Sequence, residues 1–351
     1  MTTYDYQKLK PVAAWLYITA AAVFLMAIIG AVTRLTESGL SMVEWRPLIG
    51  ALPPMNDGEW QRVFNLYKDT SEYQMAHSWM GLADFKKIFF WEWFHRLWGR
   101  MIGLIYAVPF FIFLIRGQLP KDLHLKFWGL LLLGGLQGLM GWYMVQSGFV
   151  DRTDVSHYRL AAHLGLAFII FGALLRMAMT VSLPHLKNSP LLRTRMLRPV
   201  FGGLLLAFIT IIWGAFVAGA NAGLIYNEFP FMGSGLFPSE GTALDPLLLN
   251  MFENHAAIQF IHRWLAIGTV LYITWLWALG RGMDVSKRAN KARTTVLCLA
   301  WLQAGLGIST LLTQVWMPLA IMHQAGALLV FGGLVWLLHE VKGKSDVSIP
   351  A

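Results

Sequence analysis

The chain has 351 residues, of which 56% are apolar and 13% charged, with a formal net charge of +9 and a mean hydropathy of +0.53. A soluble domain carries about 25% charged residues, so the charge here cannot coat a soluble surface and the surplus apolar area must face lipid. Disorder, collagen-like fibres and disulfide-stapled secreted folds are excluded, which leaves a polytopic membrane protein.

Lys8 and Lys10 precede an apolar run from Pro11 to Val32. The run exceeds the roughly 7–15-residue core of a secretory signal, so it is read as a retained first span, with no Arg-rich transit peptide before it. In chain order, stretches able to cross ~30 Å of hydrocarbon, about 20 residues each, fall at 12–33, 90–115, 127–146, 157–179, 199–220, 256–279, 294–314 and 318–338. They are continuous rather than alternating, so helices satisfy the backbone in lipid, not barrel strands. Between the first two spans lies a long connection, 34–89, with Pro47, Pro53, Pro54 and interleaved tryptophans; 221–255 is also rich in Gly, Pro and aromatics. Short amphipathic helices or turns over the outer span ends are expected there.

Sixteen Lys and Arg fall in the N-terminus, 116–126, 181–198, 280–293 and the C-terminal tail, against none in 221–255 or the turn around Trp316. Both termini are therefore expected in the cytoplasm, or in the matrix of a mitochondrion. The 28 Lys and Arg are dispersed, without the clustered basic face that nucleic acid needs. The one cysteine, Cys298, lies inside an apolar run. It allows no intramolecular disulfide and no Cys-based zinc or iron–sulfur site.

The two halves resemble each other. Glu92-x-x-His95-Arg96 matches Gln259-x-x-His262-Arg263, Leu136-Gln137-Gly138 with Gly141 matches Leu302-Gln303-Ala304 with Gly307, and His163 matches His323. The expected fold is an all-α integral membrane protein of eight transmembrane helices, arranged as two pseudo-symmetric four-helix bundles, 1–190 and 191–351. His95, His163, His262 and His323 each lie about 5–7 residues inside the outer end of a span, roughly 8–10 Å deep at ~1.5 Å per residue. Imidazoles in hydrocarbon are costly and mark function. Two facing imidazoles in a four-helix bundle suit a planar macrocycle whose iron takes two axial nitrogens, and Gly99, Gly103, Gly165, Gly172 and Gly326 would let it approach closely. A bare copper or zinc ion would call for further Cys, His or carboxylate ligands, and only Glu92 is near.

Glu92 separates the halves, because Gln259 stands in its place. A carboxylate beside a macrocycle can accept a proton or stabilise developing positive charge; alternatively Glu92 pairs with Arg96 or orients His95. The first half is thus expected to be the reaction site and the second a permanent cofactor or electron-transfer site. Arg96 and Arg263, and more weakly Arg100, suit forked contacts to propionates. His157 and His255 are candidates for ligand carboxylates or a proton path, and His77 is a local candidate beside Gln74. His124, His185 and His339 read as solvated loop or end residues.

These features resemble the haem A synthase family over nearly the whole length. The carrying motifs are Gly30-Ala-Val-Thr33-Arg34-Leu-Thr36-Glu37-Ser38-Gly39-Leu-Ser41, Glu92 to His95-Arg96-Leu-Trp-Gly99-Arg100, Ala162-His163-Leu-Gly165, His262-Arg263-Trp and Met322-His323-Gln324. The resemblance implies oxidation of the C8 methyl of haem O to a formyl group, by two hydroxylations through haem I and a dehydration, giving haem A for terminal oxidases. It implies His262 and His323 as axial ligands of a retained haem b, His95 and His163 as the substrate-side pair, and Glu92 as the catalytic carboxylate. It also implies a ferredoxin-like electron donor, while substrate handling suggests a complex with haem O synthase. The loop cysteine pairs of one branch are missing, as in the proteobacterial and mitochondrial-type branch, and a bacterial inner membrane is expected. A dihaem cytochrome passing electrons from quinol, or a haem carrier, would use the same four histidines.

Overall fold

The computed structural model describes residues 4–44, 49–149, 154–184, 190–283 and 285–343. Its α-helices are α1 (Lys10–Leu35), α2 (Asp57–Lys68), α3 (Leu82–Ile115), α4 (His124–Val145), α5 (His157–Ser182), α6 (Pro190–Gly219), α7 (Asn250–Glu253), α8 (His255–Leu279), α9 (Lys287–Leu312) and α10 (Met317–Lys342). All but α2 and α7 are long and apolar enough to cross a membrane, which makes eight spans among the described residues, and these contain no strand. The all-α membrane class expected from composition is what the chain adopts.

Local chemistry sets the helix ends. Pro11 and Pro318 sit in the first turns of α1 and α10, where a missing N–H costs nothing. Asn254 accepts from the N–H groups of Ala256 and Ala257 at 3.0 and 3.2 Å, and Ser286 accepts from Ala289 at 3.1 Å, capping α8 and α9. Asn56 caps α2 through Glu59 N–H at 2.9 Å, with Asp57 and Glu59 in the first turn, as the helix dipole favours. α1 stops where Glu37 turns to φ +51° and Ser38 N–H returns to the Thr33 carbonyl at 2.9 Å.

One boundary differs from expectation. α3 starts at Leu82, eight residues before the apolar stretch at 90. Lys86 and Lys87 interrupt the hydropathy but not the helix, because Phe85, Ile88 and Phe89 on the same turns pack against Phe64 and Tyr67 of α2. The expected amphipathic helix of the outer loop is therefore α2, its apolar face buried on an extended α3.

α1 packs on α3 and α5, and α4 on α5; α6 packs on α8 and α10, and α9 on α10 and α8. The α3–α4 seam is sparsely packed, more so than the α8–α9 seam. α5 and α10 meet at the centre, where a Cβ on Gly172 would sit 2.8 Å from Phe331. Gly165 likewise faces Ile212 and Phe208 of α6, so these two glycines serve helix approach and not the ligand approach expected of them. His339 is also not a solvated end residue: it is fully buried, because α10 runs through the middle of the molecule against α1, α5, α6 and α9. His185 lies outside the described residues.

A polar tie joins the C-terminal ends of α1 and α6. Arg34 donates to the Ala218 carbonyl at 3.0 Å and to Asn221 Oδ1 at 2.8 Å, and Asn221 donates to Asp154 at 3.1 Å.

Candidate functional site

The four histidines project from α3, α5, α8 and α10, and each is seated in the same way. The Cε1 edge of each imidazole lies against a glycine on a neighbouring span: His95 on Gly30 of α1, His163 on Gly141 of α4, His262 on Gly214 of α6, His323 on Gly307 of α9. A Cβ at those glycines would stand 3.2, 3.1, 3.0 and 2.8 Å from Cε1, respectively. No side chain larger than hydrogen leaves the rings where they are.

Hydrogen bonds then orient the rings. His262 Nδ1 donates to the Thr210 carbonyl at 3.2 Å, which leaves the Nε2 lone pair free to bind a metal. Thr33 spends its own proton on the Ile29 carbonyl at 2.9 Å, so its oxygen is the acceptor for His95 Nδ1 at 3.5 Å. The Gln303 amide meets Nδ1 of His323 at 3.1 Å and donates to the His323 carbonyl at 2.8 Å. Gln137 does the same to the His163 carbonyl at 3.1 Å, but its amide lies 3.2 and 3.3 Å from Nδ1 and Nε2 alike. The second pair presents Nε2 clear of its glutamine, and the first does not.

The ring centroids of His262 and His323 are 6.5 Å apart. Two metal–imidazole bonds of about 2 Å, each with about 1 Å from nitrogen to ring centre, span roughly 6 Å, so an iron with two axial imidazoles fits between them. Among the described residues no group of three or more His, Cys, Asp or Glu could hold a bare metal ion.

Near His95 and His262, α3 and α8 each grip a connecting loop. Glu92 is 3% exposed and accepts from Ser41 Oγ at 2.7 Å, from Met42 N–H at 2.6 Å and from Arg96. Arg96 also donates to the Met42 and Glu44 carbonyls at 3.0 and 3.4 Å. In the second half Gln259, 2% exposed, donates to the Tyr226 carbonyl at 3.0 Å and accepts from Arg263 at 3.2 Å. Arg263 donates to the carbonyls of Tyr226, Glu228 and Phe231 at 2.8, 2.8 and 3.1 Å. The Glu92–Arg96 pairing is thus present, and both arginines clamp loops, a role sequence reasoning had not given them. We expect Arg263→Ala to leave the Glu228 and Phe231 carbonyls without this partner, with Tyr226 still held by Gln259, and to loosen the 226–231 segment by about 1–3 kcal/mol, measurable as faster proteolysis of that loop.

The family of cytochrome oxidase assembly proteins named COX15-CtaA matches residues 13–335. The haem A synthase of Rhodospirillum centenum is 51% identical over 95% of this chain and 89% of its own length. That of Nitrosospira multiformis is 45% identical over 95% and 94%, and haem A synthase COX15 of Homo sapiens is 42% identical over 95% and 83%. The chain belongs to the haem A synthase family.

In this member of the family the polar string at the end of α1 has a task at nearly every position. Gly30 seats His95, Thr33 meets its Nδ1, Arg34 reaches α6, Glu37 pairs with His77 at 3.1 Å, and Ser41 holds Glu92. His157 bonds the Phe252 carbonyl at 3.0 Å, joining α5 to α7, while His255 is exposed at the start of α8 and His124 meets the Leu119 carbonyl at 3.2 Å. Gly141 and Gly307 were visible as repeat positions; Gly214 was missed, although Gly30-Ala31 and Gly214-Ala215 share a dipeptide.

The glycine seats give a direct test. Alanine is about 1 kcal/mol better than glycine inside a helix, so Gly307→Ala should not unfold α9. We expect it to lower the haem-to-protein ratio and shift the low-spin electron paramagnetic resonance signal, more than Gly214→Ala does, since its Cβ falls closer to the imidazole. Unchanged spectra in both would show that the seats do not matter.

Proposed function

We propose that this chain is a haem A synthase that oxidises the C8 methyl group of haem O to a formyl group, through haem I, and supplies haem A to terminal oxidases. The observation that carries this reading is the pair of seated imidazole sites of which only one has a carboxylate at the loop clamp. Family membership supplies the reaction.

His262 and His323 would hold a retained haem b, which supplies one-electron redox chemistry when bound. The chain's own contribution there is fixed orientation: the Thr210 carbonyl accepts from Nδ1 of His262, the Gln303 amide holds the His323 backbone carbonyl, and glycines seat the rings. His95 and His163 receive haem O and release the product, so this pair has to exchange its ligand with the bilayer. The sparse α3–α4 seam and the Gln137 amide across both nitrogens of His163 support that assignment. Glu92, three residues before His95 on α3 and held by three donors, would supply the negative charge that stabilises positive charge developing on the substrate. Arg96 and Arg263 act by holding the loops, and Arg263 keeps an Nε–H without a partner for a propionate.

In this reading 1–190 is the substrate half and 191–351 the cofactor half, the membrane is a bacterial inner membrane, and both termini are cytoplasmic with the histidine pairs toward the outer leaflet. A ferredoxin-like protein on the cytoplasmic side donates electrons, and haem O synthase hands over the substrate. Purified protein should carry a bis-imidazole low-spin haem that survives His95→Ala and is lost in His262→Ala. The reverse pattern would exchange the roles of the two halves.

A further inference from the structure

The polar tie at the ends of α1 and α6 has a defined relation to the two histidine pairs. Gly30, against the His95 ring, and Gly214, against the His262 ring, occupy matching places in these helices. α1 ends five residues past its glycine, at Leu35, and α6 five residues past its own, at Gly219. Seven residues past each glycine the backbone turns left-handed, at Glu37 and at Asn221, both with φ +51°. Arg34 and Ala218 therefore correspond, each four residues beyond its glycine and on the same helical face. One carries a guanidinium; the other offers a last-turn carbonyl with no donor inside its helix.

Arg34 closes the gap between them. One terminal nitrogen donates to the Ala218 carbonyl at 3.0 Å and to Asn221 Oδ1 at 2.8 Å. The other lies 3.7 Å from Asp154, to which Asn221 also donates at 3.1 Å. The Arg34 side chain is only 19% exposed, so water screens these contacts less than it screens a surface ion pair. α1 and α6 both pack on α5 and α10, the helices of His163 and His323. Contacts thus run without a break from one ring to the other: His95 on Gly30, one turn of α1, Arg34 on Ala218, one turn of α6, Gly214 on His262. Asp154 lies three residues before His157, where α5 begins, so the tie also holds the start of the helix that carries His163.

We infer that Arg34 is a positioning residue that locks the seat of His95 to the seat of His262 and so fixes the separation and relative tilt of the two histidine sites. It acts through α1 and α6 and not by touching substrate. The inference rests on the function proposed above, in which a redox haem in the second half serves an oxidation in the first. Electrons pass between two such sites only while the sites are held close and in a fixed relation. A guanidinium suits the task because its planar fork sets direction as well as distance, whereas a lysine ammonium is a point charge on a flexible stem.

The test uses the full chain in lipid discs, with haem b in the second pair and haem O in the first, both ferric. Pulsed electron paramagnetic resonance then reads the separation of the two low-spin centres without turnover. The wild type should give one narrow distribution. Arg34→Gln should broaden it at unchanged haem content. It should also lower kcat for haem O conversion about tenfold, below the roughly hundredfold that a 1 Å misplacement can cost, with KM unchanged because Gly30 still seats His95. Arg34→Lys should recover part of both losses. If Arg34→Gln holds no haem, Asn221→Gly decides: it keeps Arg34 and the left-handed turn, removes one acceptor, and should broaden the distribution too. A distribution as narrow as the wild type's in Arg34→Gln, or in Asn221→Gly where that variant decides, would overturn the inference, as would an unchanged kcat beside a broadened distribution. A wild type with a narrow distribution that converts no haem O removes the enzyme reading and leaves the lock standing; a broad distribution in an active wild type does the reverse.

Discussion

Glu92→Gln is expected to lower haem A formation by about a hundredfold, the usual scale for a group acting on charge or protons at a reaction centre, while both haems stay bound. The fold itself suggests why the substitution is tolerated. Gln259 occupies the matching position of α8, buried at 2% exposure, and still holds its loop through Tyr226 and Arg263. An amide at position 92 keeps one acceptor oxygen for Ser41 or Met42 but removes the negative charge facing Arg96. Product quantified per bound haem separates the loss of chemistry from any loss of loop order. A dihaem electron carrier makes the opposite prediction: it has no use for one carboxylate in one half, and its haem reduction would be unaffected by the change.

The second large effect is expected at His323. If His323 ligates the retained haem as proposed, His323→Ala removes an axial nitrogen together with the ring that Gln303 and Gly307 contact. Outer partners of a metal ligand are worth roughly 10–100-fold in affinity, so losing the ligand itself should exceed a hundredfold and empty the second pair during purification. Haem A formation should then fall below detection, although Glu92, His95 and His163 are intact. The apparent melting temperature should fall too, since a ligand bound only to the folded state stabilises it by mass action. Retained activity after loss of this haem would mean that the second half is not the cofactor half.

The eight spans were legible because lipid demands a continuous apolar helix, and no other pattern in the chain competes with that signal. The early start of α3 was not, because hydropathy reports lipid contact while Phe85, Ile88 and Phe89 bury against α2 outside the apolar stretch. The four histidines stood out as polar groups at matched places in the repeat. Their glycine seats were harder to pick, since a glycine in a membrane helix can serve a ligand or a neighbouring helix. Only the cross-helix distance tells Gly214, against His262, from Gly172, against Phe331. The Tyr67–His77–Glu37 file joins residues 10 and 40 positions apart through a loop, and no local spacing announces it. His339 read as an end residue because α10 ends near it, yet the packing of other spans around α10 buries it.

The account stands most directly on one measurement: the haems extracted from the purified protein, separated by chromatography with mass detection, after expression with and without a source of haem O. Haem A or its hydroxylated precursor, present only when haem O is supplied and alongside a constant amount of haem b, is the predicted result. Haem b alone, with haem O present but never converted, would contradict it and leave an electron-transfer cytochrome.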